Sequence, residues 1–332
     1  MRLPKIKPPL TVIVSLLCTA ACTTSAITPG GPVSPSVTSN AVLRQPVPAQ
    51  GPVSRFNRSR AGCIYLSDSQ SRKVEIYSGV APYTQTGSLT SPSGYGWGVA
   101  ANKKTIFVGS NADTIDEYNP CSTKAKGSLY GTGAGYPYGM AATNDGTVYA
   151  TEWPSNYIDI FAPNGNLTQT TDENMFEVYG FAVNRAGTIF VSGVTQSTFK
   201  AGIDECDSQG VNCKATGIVY GAPAGIALDK KQHLYIADQT GLIYEYGKPY
   251  GPKDLLATFE YSVSKAAGVF ANVALDAKDG SIWGSDTYSC ASGTCAVAQQ
   301  VMLPLGSGLG AATAPWSPAQ AIGIAIWKPS KY

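Results

Sequence analysis

The chain is predicted to be all-β, a six-bladed β-propeller closed by pairing its C-terminal strand with its N-terminal blade. Three observations lead there. Similar cassettes begin at Gly98, Gly139, Gly180, Gly225 and Asn272, spaced by 41, 41, 45 and 47 residues, about the length of one four-stranded blade. Among 332 residues Gly (36), Pro (22) and Tyr (19) are abundant and charged residues make up only 14%, which suits short strands and tight turns. The two chain ends carry complementary parts of one further cassette.

From the N-terminus, Arg2, Lys5 and Lys7 precede an apolar stretch over 10–21, broken by Thr11, Ser15 and Thr19. It is too short to span a bilayer comfortably and fits the apolar region of a signal peptide. It ends in Thr19, Ala20, Ala21 and Cys22, which resembles the bacterial lipobox, whose cysteine is acylated. Thr19 stands where that motif usually has Leu, and an ordinary cleaved signal is the alternative. Residues 1–21 are assigned to the signal peptide. Residues 22–60 are the lipid-anchor cysteine and a linker rich in Pro, Ser and Thr, with too few large apolar side chains to fold. The folded body is 61–332. The expected location is the bacterial cell envelope, lipid-anchored to a membrane and either periplasmic or surface-exposed.

Six of the eight cysteines fall in the body: Cys63, Cys121, Cys206, Cys213, Cys290 and Cys295. An even number in an exported chain suggests disulfides. Cys206 with Cys213, and Cys290 with Cys295, are close enough in sequence to staple a hairpin or loop. Cys63 with Cys121 follows by elimination. Zinc is disfavoured, since no pair has C-x-x-C spacing and His233 is the single histidine. A net charge of +2 without a basic cluster excludes a nucleic-acid partner.

Within each cassette, strand a is read as the Gly-x-Ala triplet. Strand b is an apolar–aromatic run (IYL, IFV, VYA, IFV, LYI, IWG), strand c is I-x-x-Y, and strand d is the Gly-Ser-Leu type at 87–89 and 127–129. Small residues in strand a suit a crowded axis. The segment from Ala61 has strands b and c without a leading triplet, and Gly323, Ile324 and Ala325 supply a triplet at the other end. Pairing them protects the sheet edges and locks the ring.

Gly-x-Ala, an Asp/Gly turn, LYIAD and an apolar-x-x-Tyr strand together resemble the NHL repeat, over about 63–332. The resemblance implies a six-bladed propeller alongside the SMP-30/gluconolactonase-like group, a fold that hosts both binding proteins and enzymes. Lyases and hydrolases of similar fold use histidines at the channel mouth, and one histidine cannot form such a cluster. His233 aligns with Thr105, Thr147, Thr188 and Ser281, so it is read as a solvated turn residue. SMP-30-like metal ligands that precede the strand-a glycine are not reproduced: Trp97, Tyr138, Tyr179, Ala224, Ala271 and Ile322 stand there. No Gly-x-Ser-x-Gly elbow with a partnering histidine is present. No catalytic residue is assigned.

Asp68, Glu152, Asp238 and Asp286 recur after strand b. In the NHL pattern that residue braces the b–c turn, which is the preferred reading. Calcium held by these oxygens is the weaker one, and no other cofactor is expected. The remaining signal is aromatic. Tyr95, Trp97, Tyr136, Tyr138 and Tyr179 are placed in d–a connections, and Trp153 and Tyr157 beside the b–c turn, all on one rim of the channel. Amphipathic aromatics suit a carbohydrate or an envelope protein as partner; packing between blades is the competing reading. The chain is expected to be a monomeric binding module, with enzymatic activity left open. The alternative is a metal-dependent lactonase or lyase on the same face.

Overall fold

The computed structural model describes residues 62–68, 71–80, 83–91, 93–131, 133, 135–260, 270–275, 282–286, 298–301 and 321–329, all in the compact unit Ser54–Tyr332. The signal segment, Cys22, the linker, Cys290 and Cys295 lie outside the described residues.

The described elements are all strands. In chain order they are β1 (Cys63–Asp68), β2 (Lys73–Ser78) and β3 (Gln85–Thr90); β4 (Tyr95–Ala101), β5 (Ile106–Ser110), β6 (Thr114–Tyr118) and β7 (Ala125–Tyr130); β8 (Tyr136–Ala142), β9 (Val148–Trp153), β10 (Tyr157–Phe161) and β11 (Leu167–Thr171). Then follow β12 (Met175–Val183), β13 (Ile189–Thr195), β14 (Ala201–Cys206) and β15 (Lys214–Tyr220); β16 (Ile226–Leu228), β17 (Leu234–Asp238), β18 (Leu242–Tyr246) and β19 (Leu255–Glu260); β20 (Phe270–Leu275), β21 (Ile282–Asp286) and β22 (Ala298–Val301); and β23 (Ala321–Trp327). Each consecutive set forms an antiparallel meander. Five sheets have four strands; in one of them β23 returns to pair with β1, giving the order β23-β1-β2-β3, and β20–β22 has three described strands. In that pairing Cys63 faces Trp327 and Tyr65 faces Ala325. The first strand of each sheet lines one central cavity of about 230 Å³, through Ala101, Ala142, Phe181, Ala227, Val273 and Ala325. The arrangement is a β-propeller.

Burial follows distance from that axis. The second strands β1, β5 and β17 are buried at every position, as expected for apolar runs covered on both faces. The outer strand β7 is exposed along most of its length. Between sheets, large side chains interlock: Tyr149 stacks on Phe181 at 5.4 Å.

The inner strands approach one another at glycine. A Cβ on Gly139 would collide with the Tyr179 carbonyl and sit 2.9 Å from Gly180 Cα. One on Gly180 would sit 2.6 Å from Ala224 O and 2.9 Å from Gly225 Cα, and one on Gly225 would sit 2.9 Å from Asn272 Cα. No side chain fits such a gap. Buried hydroxyls on the second strands stitch the same region. Gly139 N donates to Thr151 Oγ1 at 2.8 Å, and Gly323 N to Ser67 Oγ at 2.6 Å. Ser192 Oγ donates to Ala224 O at 2.5 Å, reaching the next sheet. These bonds satisfy backbone groups that water cannot reach.

The a–b turns are built alike. Asn102 Oδ1 accepts from Lys104 N and Thr105 N, Asn184 Oδ1 from Ala186 N and Thr188 N, and Asp229 Oδ1 from His233 N. His233 therefore holds a turn position, but its ring is not simply solvated. Its Nδ1 lies 2.7 Å from Glu245 Oε1, a buried carboxylate on β18.

Among the described residues two disulfides are present. Cys63–Cys121 joins β1 to the turn after β6, and Cys206–Cys213 staples the β14–β15 hairpin. They accord with an exported protein. Among the described residues no helix is long and apolar enough to cross a membrane.

The first strands are longer than the Gly-x-Ala triplet in β4, β8 and β12, because each continues through a β-bulge. Register shifts lie between Tyr95 and Val99, Pro137 and Met140, and Val178 and Gly180. The aromatic residues expected in d–a connections are thus strand residues.

Gly180→Ala should destabilise the fold by about 1–3 kcal/mol through overpacking, measured by chemical denaturation. Gly127→Ala on β7, where a Cβ would meet only Glu117 Oε2 at 3.4 Å, should change stability by about 0.5 kcal/mol or less.

Candidate functional site

The bulges govern where the aromatics go. Trp97, Tyr138 and Tyr179 each fall inside a register shift, directly before the strand-a glycine. A bulge re-aims its extra residue away from the regular pleat. Tyr138 and Tyr179 meet edge-on with centroids 5.4 Å apart, and Tyr138 lies 6.4 Å from Trp153 at the end of β9. The Tyr179 hydroxyl donates to Glu177 Oε2 at 2.8 Å. Burial raises the Tyr179 hydroxyl to about 12, helped by that carboxylate. Tyr136 is half-buried opposite Trp153, and Tyr157 opens β10 with 36% exposure. The side chain of Trp97 lies outside the described residues.

Tyr95 departs from the expected rim. It is fully buried, packs with Tyr65, Val99 and Tyr118, and donates its hydroxyl proton to Asp116 Oδ2 at 2.6 Å. It begins β4 before the bulge, so the regular pleat turns it into the core.

In addition to Tyr130 at the end of β7, 72% exposed, an exposed pair of phenylalanines escapes the sequence reading. Phe176, inside the register shift of β12 between Met175 and Glu177, is 56% exposed, and Phe199, in the β13–β14 turn, is 72% exposed; their rings lie 6.3 Å apart. They occupy a d–a and a b–c position of the same sheet, which was the signal available for them. These connections do share a rim. Asp238 accepts from Thr240 N in the b–c turn (2.9 Å) and from Gly221 N and Ala222 N in the d–a connection (2.8 and 3.0 Å).

The four acidic positions after strand b differ in use. Asp238 is consumed by those amides and by the Tyr244 hydroxyl. Asp68 is buried at the end of β1. The Asp286 side chain lies outside the described residues. Glu152, 1% exposed, meets Asp113 from the β5–β6 turn and Asp159 from β10, with one oxygen from each residue within 4.8 Å of the others. Burial is the main cause that lifts all three carboxyls. Glu152 rises to about 9, reinforced by the charges of Asp113 and Asp159, and Asp159 rises to about 6.

Asp159 and Asp113 were not among the expected site residues. For Asp159 the signal was there. The residue after the buried aliphatic of strand c is Glu75, Asp116, Asp159 and Asp204 in four successive sheets. In the β12–β15 sheet, Asp204 faces Asp172, both fully buried, and Asn174 Nδ2 donates to Asp204 Oδ2 at 2.8 Å. Cys206 and Cys213 lie beside Asp172 but are bonded to each other, so they offer no thiolate to a metal.

The central cavity is chemically plain. Its lining among the described residues is Gly, Ala, Met, Phe, Val, Ile and Leu, with Asn272 as the polar member.

No protein-family model matches the chain, and no curated protein matches it. Among solved structures it is similar to one described as "Streptogramin B lyase structure", with 14% identity, 81% of this chain and 74% of that chain covered, and a TM-score of 0.48. It is also similar to "Structure of U3-55K", with 9% identity, coverage of 67% and 70%, and a TM-score of 0.49. The fold assignment rests on the sheets themselves.

Burial, with the Asp204 charge adding to it, lifts Asp172 to about 7. The folded state then holds a proton that the unfolded chain releases near pH 4. The stability this contributes is complete below about pH 4 and is lost as pH rises through about 7. Asp172→Asn keeps an acceptor for Asn174 N and should flatten the fall of urea midpoints across that window. An unchanged slope would contradict the assignment.

Proposed function

We propose that this chain is an exported, lipid-anchored propeller that binds a carbohydrate or an envelope protein through the aromatic rim. The observation that carries this reading is the cluster of Tyr138, Trp153 and Tyr179 at the bulges, continued on the same rim by Tyr157, Phe176 and Phe199. Aromatic side chains supply large contact area at low entropy cost. An exposed pair such as Phe176 and Phe199 costs hydration unless a partner covers it.

In this reading the six sheets form an NHL-like six-bladed ring. The pairing of β23 with β1 closes it as a splice between chain ends, so that edges remain only at the outer strands of the sheets. Cys22 carries the lipid after removal of residues 1–21, and 22–60 is the tether. Enzymatic use is the weaker reading, because the apolar lining of the cavity supplies no nucleophile, acid or base among the described residues.

The test compares the full chain with a Tyr157→Ala/Phe199→Ala variant on a glycan array and in pull-downs from the native envelope. Both side chains are exposed, so the melting temperature should stay unchanged while retention on the cognate ligand is lost. Undiminished retention in every assay would contradict the rim. Separately, Cys22→Ser should move the chain from the membrane to the soluble fraction; a variant that stays membrane-bound would contradict the anchor.

A further inference from the structure

The three carboxylates at the junction of the β4–β7 and β8–β11 sheets are costly as they stand. Glu152 and Asp159 are 1% and 0% exposed, and neither forms an ion pair with a described residue. Asp159 Oδ1 accepts from Gln169 Nε2 at 2.8 Å, but Asp159 Oδ2 and Glu152 Oε2 have no hydrogen-bond donor among the described residues, and neither has Asp113 Oδ1. Buried carboxylate oxygens without donors lose their hydration with nothing in return. The backbone is nonetheless shaped to bring them together. Asp113 holds a left-handed conformation, φ +54°, and its Oδ2 accepts from Gly133 N. The connection crosses Asp113 at Gly131, where any Cβ would collide with the carboxylate.

The geometry points to a divalent cation site of the calcium type, formed by Asp113, Glu152 and Asp159. Their ligand atoms lie within 4.8 Å of one another, twice the roughly 2.4 Å of a Ca²⁺–oxygen bond. The donor set is all oxygen, which suits a hard cation and not zinc. Ca²⁺ fits better than Mg²⁺, which demands a shorter octahedral shell and keeps more of its water. Asp113 is half-buried, so the cation can enter from its side and keep waters there. Bound there, it would compensate the buried charge and tie one sheet to the next. Asp238 cannot serve the same end, because amide donors already occupy both its oxygens. This inference does not depend on the aromatic rim.

The test uses the full chain stripped with EDTA at neutral pH and titrated with CaCl₂ and MgCl₂. Ca²⁺ should raise the melting temperature saturably, with Mg²⁺ less effective. Tb³⁺ should show luminescence sensitised by the nearby Trp153 and displaced by Ca²⁺. Glu152→Gln should weaken Ca²⁺ binding by about ten-fold or more, and Asp238→Asn should leave the Ca²⁺ shift in place. If Glu152→Gln fails to fold, Asp159→Asn serves instead, and the wild-type Tb³⁺ competition stands alone. A wild type with no saturable Ca²⁺ shift and no Tb³⁺ displacement would overturn the site. So would a shift that persists undiminished in the carboxylate variants, or a cluster that only responds to acid.

Discussion

The structure depends on how closely its innermost strands pack. Gly139, Gly180 and Gly225 sit Cα against backbone along the channel wall, at distances that exclude even a methyl group. That contact sets the spacing of successive sheets, and the buried interfaces between them follow from it. It also puts peptide groups where water cannot reach, so Thr151, Ser192 and Ser67 must supply hydroxyls to them. Apolar packing on both faces of each second strand then provides the bulk of the stabilisation.

The same constraint shapes the rim. An inner strand held this tightly cannot continue regularly into the connection before it, and a bulge takes up the mismatch. In β4, β8 and β12 the residue just before the glycine falls in that bulge. Trp97, Tyr138 and Tyr179 occupy the position, whereas Ala224 and Ala271 occupy it elsewhere. The scaffold is therefore repeated while the chemistry on it varies from sheet to sheet. A single face can be decorated on one side without disturbing the ring.

Much of this is legible in the sequence, for physical reasons that differ by element. The Gly-x-Ala triplet recurs because the close approach recurs. The apolar–aromatic second strand recurs because both its faces are covered. The b–c acid recurs but its use differs, since Asp238 accepts from amides of the turn and the connection whereas Glu152 meets Asp113 and Asp159. Tyr95 was not legible as a core residue, because a bulge breaks the alternation that tells one face of a strand from the other. Asp159 and Asp204 were visible as repeated strand-c acids but were hidden behind the apolar pattern used to define that strand. The meeting of Asp113 with Glu152 crosses two sheets and rests on one left-handed backbone angle, which no local pattern encodes. Cys63–Cys121 likewise joins a strand to a turn 58 residues away and was reachable only by elimination among the cysteines.

Hydrogen–deuterium exchange on the intact chain tests the central claim most directly. If the glycine-packed inner strands hold the ring together, the slowest amides should lie in β8, β12 and β16 and in the second strands beside them, with exchange approaching the global unfolding limit. The outer strands β7 and β15 should exchange far sooner. Inner-strand amides that exchange as fast as those of β7 and β15 would contradict the account.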